Sequence, residues 1–410
     1  YASRGLGDVY KRQIYCRTLL VYTDNELWIG TESGVYIYNL RTEKYTHLRS
    51  SEYDPYSLSD NAIYSFCKDR EDGIWIGSYL GGVNYYPRSY TYFEKYYPKG
   101  IENSLHGKRV REFCRDSQGI LWIGTEDGGL NRFNLKTKDF SFFAPSAGFT
   151  NIHGLCLVDD KLWVGTFSKG LKVIDTRSGV VLKTYQKNDS PRSLIDNSIF
   201  AICKTATGDI YLGTMFGLVR YNKQSDDFDR IPELNGKFIY DIKEDSAGNI
   251  WLATYANGVY CYNVNDRKWK NYVHDDKDNT SLPYNKVSSV FEDSHRQIWL
   301  TTQGGGFCIF HPESETFTSY NSTNGLPSDV VYQIVEDKEG QLWLTTNNGL
   351  VCFQPNTEAM KVYTTANGLL GDQFNYRSSF EDENGMIYFG GIDGFIAFNP
   401  KDFSENKNLP

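Results

Sequence analysis

The chain has 410 residues, a formal charge of −8 and 15% aromatic residues, 31 of them tyrosine. An acidic balance without a basic stripe argues against a nucleic-acid partner, and no apolar run is long enough to span a membrane as a helix. The N-terminal stretch lacks the charged start and apolar centre of a secretory signal.

YASRGLGDVYKRQ, at 1–13, fits no strand pattern and reads as an adapter-like, non-native tail. From about residue 14 one short phrase recurs nine times: LWIGT at 27–31, IWIGS at 74–78, LWIGT at 121–125, LWVGT at 162–166, IYLGT at 210–214, IWLAT at 250–254, IWLTT at 298–302, LWLTT at 342–346 and IYFGG at 387–391. Its aromatic falls at Trp28, Trp75, Trp122, Trp163, Tyr211, Trp251, Trp299, Trp343 and Tyr388, in steps of 40 to 48 residues. That period belongs to repeat arrays and propellers.

Each copy has the same internal plan. In the third, VREFCRD reads as a strand, SQG as a turn, ILWIGT as a second strand, EDGG as a turn, LNRFN as a third strand and DFSFF as a fourth. The runs are apolar or alternating and rich in branched and aromatic residues, and the breaks carry Gly, Asp, Asn or Ser. No helical period persists for three turns. The prediction is therefore an all-β chain of four-stranded antiparallel meanders. Such a sheet cannot bury both faces alone, and radial stacking makes a β-propeller with the recurrent aromatic wedged between neighbours. A glycine column follows at Gly34, Gly82, Gly129, Gly170, Gly217, Gly258, Gly306, Gly349 and Gly394, as a left-handed turn or a close backbone approach requires.

Three features that suggest chemistry have simpler readings. Cys67, Cys114, Cys156 and Cys203 share a first-strand column, and Cys261, Cys308 and Cys352 lie in third strands. Equivalent positions in successive sheets are too far apart to bridge, so these read as small buried hydrophobes. Asp69, Asp116, Asp245, Asp293, Asp337 and Asp382 occupy one turn in six copies and read as turn formers bonded to their own backbone. HDDKDNTSL, at 274–282, lacks the glycine and distal glutamate of a calcium loop and reads as solvated. With no C-x-x-C pair and no H-E-x-x-H, neither a metal nor a cofactor is expected.

The phrases GIWIGSYLGGVNYY, GILWIGTEDGGLNRFN, GQLWLTTNNGLVCF and GLLGDQFNYRSSFEDENGMIYFGGIDGFIAFNP resemble the two-component regulator propeller repeat. That repeat builds the sensor region of hybrid two-component system proteins in gut Bacteroidetes, and the resemblance covers residues 14–404. It implies two seven-bladed propellers followed by a small β-domain, a membrane helix and a histidine kinase. Counting back seven copies from the last reaches Trp122. Residues 105–404 are then expected to form a seven-bladed second propeller, 14–104 the last two blades of a truncated first one, and 405–410 the start of a linker to a downstream domain. A single ring of eight or nine blades is the alternative.

Ligand residues on a propeller gather at the channel mouth, where loops converge on a rigid scaffold. One column near the start of the first strand varies between copies: Tyr64, Arg111, His153, Phe200, Tyr240, Ser288, Tyr332 and Arg377. The resemblance implies an oligosaccharide ligand, since aromatic rings stack on sugar faces and Arg or Lys pair with uronate or sulfate groups. Arg111, His153, Tyr240, Tyr332 and Arg377 suit that role, with Phe167, Lys169, Tyr255 and Gln303 from adjacent turns; as ordinary rim residues they would equally be exposed. The resemblance further implies a periplasmic location, a homodimer of the full-length protein and no membrane contact by this region, whereas unpaired cysteines alone favour a reducing compartment.

Two other functions bear on the same surface. A propeller glycan hydrolase or lyase is suggested by the D-x-x-G-x-[IL]-W cadence, as in DSAGNIW at 245–251, which superficially resembles a sialidase Asp-box. It would need two carboxylates across the sugar, and only Glu112 and Asp241 offer themselves. A WD-type interaction platform lacks its Gly-His and Trp-Asp pairs. The region is therefore expected to be a non-enzymatic sensor.

Overall fold

The computed structural model describes residues 14–52, 54, 56–70, 72–87, 92–143 and 149–403. The tail at 1–13 and the linker at 405–410 lie outside the described residues. The chain divides into two compact units, one running up to Tyr92 and one spanning Phe93–Phe403.

The first unit holds a four-stranded antiparallel sheet, Cys16–Thr23, Glu26–Thr31, Gly34–Asn39 and Lys44–Leu48, and a three-stranded one, Ile63–Lys68, Ile74–Ser78 and Val83–Tyr86. Trp28 lies between them, 1% exposed, with its ring against Phe66 and Tyr86. Trp75, the same position in the next copy, is 46% exposed.

The second unit contains, among the described residues, seven four-stranded antiparallel sheets. Their innermost strands are Val110–Arg115, Ile152–Val158, Ile199–Lys204, Ile239–Glu244, Val287–Glu292, Val331–Glu336 and Phe374–Glu381, here numbered sheets 1 to 7. Each inner strand lies against the next, and the seventh returns to the first, so the unit closes into a ring around a channel. Sheet 7 takes its outer strand from the other end of the unit, where Glu94–Tyr96 pairs with Phe395–Phe398. The unit therefore begins at Phe93 and not near residue 105, because the short strand EKY is needed to complete the last sheet.

The recurrent aromatics fill the gaps between sheets. Trp122 is fully buried in a cluster with Ile152, Leu162 and Ile174 of sheet 2. Trp163 meets Tyr221 of sheet 3, Trp251 meets Phe310 of sheet 5, Trp299 meets Phe353 of sheet 6 and Trp343 meets Phe398 of sheet 7. Tyr388 of sheet 7 shares a core with Phe133 and Leu121 of sheet 1, which closes the circle. The glycine column is equally constrained: Gly258 has φ +70, and an added Cβ would sit 2.0 Å from the Tyr272 carbonyl oxygen.

The turn aspartates do more than shape their turns. Asp116 Oδ1 accepts from the backbone N–H groups of Gln118 and Ile120, while Oδ2 accepts the indole N–H of Trp122 at 2.8 Å. Asp245, Asp293 and Asp337 repeat this with Trp251, Trp299 and Trp343, each at 2.8 Å. The cadence Asp, then Trp six residues later, thus satisfies the one polar atom of these four buried indoles. Asp245→Ala is expected to cost about 1–3 kcal/mol, the penalty of an orphaned buried donor, and Asp245→Asn less, because one oxygen remains. Urea unfolding of the two variants against the parent chain measures this.

The cysteines divide. Cys261, Cys308 and Cys352 are buried and Cys114, Cys156 and Cys203 half-buried, but Cys67 is exposed. Its strand Ile63–Lys68 buries only Ile63, so the expectation of a buried thiol fails there. Residues 275–280 of the acidic loop are exposed, with Asp275 and Asp278 accepting from the backbone N–H groups of Lys277 and Thr280.

Candidate functional site

The variable column lies at the second position of the inner strands of sheets 1 to 6, and at the fourth, Arg377, in sheet 7, and so rings one end of the channel of the second unit. Arg111, His153, Phe200, Tyr240, Tyr332 and Arg377 are all at most 8% exposed, whereas Tyr64 belongs to the first unit. These are channel-filling groups, not the exposed rim that simple surface statistics suggest. Burial follows from geometry: seven inner strands converge on the axis, and bulky side chains at one level must pack against each other across it.

Sheet 7 departs from the others. In sheet 3, Ile199 pairs with Thr214 and Ala201 with Gly213. In sheet 7, Phe374 pairs with Gly391, but the next pair is Ser379 with Phe389. The inner strand carries extra residues there, and this bulge brings Asn375, Tyr376 and Arg377 into the channel, with Arg377 at φ +55.

Arg377 spans the channel. Its Nε and one terminal nitrogen donate to Glu112 Oε2 of sheet 1 at 3.1 and 3.0 Å, and its other terminal nitrogen pairs with Asp241 of sheet 4. Asp241 also accepts from the backbone N–H groups of Ile242 and Val290, at 2.9 and 3.1 Å. One guanidinium therefore ties both carboxylates that a hydrolase would have required. Burial, reinforced by the Asp241 charge and opposed by Arg377, pushes the Glu112 carboxyl up to about 7.

Arg111 is differently placed. It is wholly buried, its Nε donates to His153 Nδ1 at 3.0 Å, and its NH1 donates to the Tyr376 carbonyl at 3.2 Å. Its face lies on the Tyr376 ring, and its NH2 has no hydrogen-bond partner. The nearest carboxylate oxygen, on Glu126, is 3.8 Å from Nε. His153 donates through Nε2 to Asn151 Oδ1 at 2.7 Å, and burial followed by the Arg111 charge drives its pKa down to about 2. The imidazole is neutral and serves Arg111 as an acceptor.

Rings surround this polar floor in continuous contact. Phe167 touches His153, which touches Phe200; Phe200 meets Phe238, and Phe238 meets both Tyr240 and Tyr255. Tyr240 then meets Tyr376, and Tyr376 meets Tyr332. Phe167 and Tyr255 are 39% and 42% exposed, so the chain of rings runs from solvent to the buried arginines. Gln303 is half-buried at the turn of sheet 5, and its side-chain amide nitrogen has no hydrogen-bond partner. Lys169 stands apart: it is exposed, and its hydrogen bonds are made by its backbone, to Thr166 and Gln186. Two clefts of about 800 and 550 Å³ lie elsewhere, between sheets 4 and 5 and between sheets 2 and 3, and include none of these residues.

Tyr376, Asn375 and Phe238 take part in the site without having been picked out from the column. Phe238 precedes the inner strand of sheet 4 by one residue, and Tyr376 owes its position to the bulge. The signal for the second was the longer interval between Phe374 and the hairpin turn in the last copy.

The model of the two component regulator propeller family matches residues 57–80, 104–127, 233–256 and 325–348. The chain carries two-component regulator propeller repeats. Each matched segment runs through the first two strands of a repeat and ends in the turn that follows, which in the second unit borders the channel mouth. The crystallised extracellular domain of a protein described as a hybrid two component system from B. thetaiotaomicron is 27% identical, with a TM-score of 0.78 over 94% of this chain and 51% of that one. Histidine kinase P4 of Formosa agariphila is 30% identical over 277 residues, 63% of this chain and 20% of the kinase. The repeats described here thus span about half the length of the first relative and a fifth of the second. PorZ, a surface component of the type-IX secretion system of Porphyromonas gingivalis, shares the fold, with 15% identity and a TM-score of 0.59 over 96% of this chain and 58% of that one. No helix among the described residues is long and apolar enough to cross a membrane.

Proposed function

We propose that this chain is the periplasmic sensor region of a hybrid two-component regulator. In this reading it binds an oligosaccharide at the channel mouth of the second unit. It passes the event to a membrane-tethered histidine kinase that controls polysaccharide use, within a homodimer of the full-length protein. The observation that carries the reading is the continuous run of rings from exposed Tyr255 and Phe167 down to a buried polar floor. Sugar rings present apolar C–H faces flanked by hydroxyls, and such a surface offers both stacking area and hydrogen-bonding groups. The likeness to an extracellular domain and to a histidine kinase supports the sensing role. Signalling then requires a ligand with unequal affinity for two arrangements of the receptor.

Catalysis is the weaker reading, because Glu112 and Asp241 are both held by Arg377 and neither is free to face a water or a glycosidic oxygen. A glycan array probed with the whole chain, followed by titration calorimetry on the hits, tests the proposal. Tyr255→Ala is expected to weaken binding by about tenfold, equivalent to ~1.4 kcal/mol, with no sugar turned over in a reducing-end assay. Unchanged affinity in both Tyr255→Ala and Phe167→Ala would move the site away from this mouth.

A further inference from the structure

We infer that the ligand of this mouth carries an anionic group, a carboxylate or a sulfate ester, that docks on the free NH2 edge of Arg111. The inference rests on the oligosaccharide reading above and narrows it from sugars in general to acidic ones.

The local charges and donors lead there. Of the two buried arginines, Arg377 is saturated: every nitrogen of its guanidinium is committed to Glu112, Asp241 or the Tyr240 carbonyl. Arg111 has only a looser counter-charge, the Glu126 carboxylate 3.8 Å from its Nε. Its Nε is spent on a neutral imidazole and its NH1 on a backbone carbonyl, and Glu126 stands beyond hydrogen-bond range. A guanidinium wholly out of water with one NH2 unbonded is costly unless an anion completes it. Because His153 is held as an acceptor, it does not compete for that anion by becoming a second cation that would bind it elsewhere.

A second cation lies along the same path. Lys286, half-buried at the start of sheet 5, has its ammonium 4.3 Å from the centre of the exposed Tyr255 ring, and it makes no ion pair among the described residues. An approaching acidic sugar meets this positive rim first and the deeper Arg111 NH2 second. Carboxylate and sulfate oxygens both accept charge-assisted bonds from a guanidinium N–H; the two are separated by experiment.

The test is titration calorimetry on the whole chain with two matched pairs: trigalacturonate against its methyl ester, and a sulfated galactose disaccharide against its desulfated form. A melting-shift series with sodium sulfate alone runs beside them. The expected result is that the charged member of one pair binds at least thirtyfold tighter than its neutral partner, and the pair that responds tells carboxylate from sulfate. Arg111→Gln is expected to reduce that preference at least tenfold, and Arg111→Lys to restore part of it. The ligand pairs on the unaltered chain decide the matter even should Arg111→Gln fold poorly.

Neutral sugars binding as well as charged ones would overturn the anion inference and leave the oligosaccharide reading intact. Stabilisation by sulfate that vanishes in Arg111→Gln, with none of the array sugars or matched pairs bound, would uphold the anion site and overturn the sugar reading. No preference for charge and no effect of sulfate would overturn the inference outright.

Discussion

Arg377→Met is expected to destabilise the second unit by about 3–5 kcal/mol, the range for removing one partner of a buried ion pair. The side chain is 8% exposed and bonds two carboxylates on sheets that do not adjoin each other, so its loss leaves Glu112 and Asp241 buried without a cation. The effect should grow with pH, since acid protonates the stranded Glu112. In the parent chain the sign can be worked out from Glu112 alone. Its carboxyl sits at about 7 in the folded state, above the ordinary range, so between roughly pH 4.5 and 7 the folded chain holds a proton that the unfolded chain has released. The stabilisation is complete below the unfolded value and is lost as pH rises through the folded one, with a slope of at most ~1.36 kcal/mol per pH unit. Urea unfolding at pH 5, 6, 7 and 8 should show stability falling across that window, and Glu112→Gln should flatten the profile. A profile already flat in the parent chain would mean that the carboxyl does not change charge there.

Trp122→Ala should cost about 3–5 kcal/mol, as for other large aromatic truncations in packed cores. The ring is 0% exposed, fills the space between sheets 1 and 2, and its N–H satisfies Asp116 at 2.8 Å. Trp75→Ala is the internal control. It removes the same residue from the same position of another copy, but that ring is 46% exposed and buries far less apolar area, so about 1 kcal/mol is expected. Chemical unfolding followed by circular dichroism compares the two, and equal losses would show that the wedge position does not determine the packing.

The contrast between these two residues marks what a sequence can disclose. The strands, the hairpins and the identity of the wedge were legible because one physical problem is solved nine times with the same residue types. Trp75 carries the same word, yet its exposure depends on which sheet lies beside it, and no local pattern encodes that. The same limit applies to the boundary of the second unit. EKY, at Glu94–Tyr96, is three residues long with no alternation to recognise, and its role appears only through its pairing with Phe395–Phe398.

The site divides along similar lines. Comparing copies brought out Arg111, His153, Tyr240, Tyr332 and Arg377, because a column released from the repeat's packing needs can vary. What each does was not visible. Arg377 and Asp241 lie far apart in the chain and meet only across the channel, and Tyr376 enters through a bulge that shifts its copy out of alignment with the other six. Sequence comparison picked out residues that lie at one level of the channel, while three-dimensional pairing tied one arginine to two carboxylates and left the other with an unbonded NH2.

The pairing of Tyr96 with Phe395 bears on how the second unit is made. Its first-synthesised strand has no edge to join until its last hairpin exists, so the ring cannot be fastened while the chain is still emerging. Contacts of such long sequence separation form slowly, and until they form, the edge of sheet 7 stays open to other strands. Cutting between Tyr96 and Val110 would therefore turn an intramolecular clasp into an encounter between two molecules, and assembly that had been independent of protein concentration would come to depend on it.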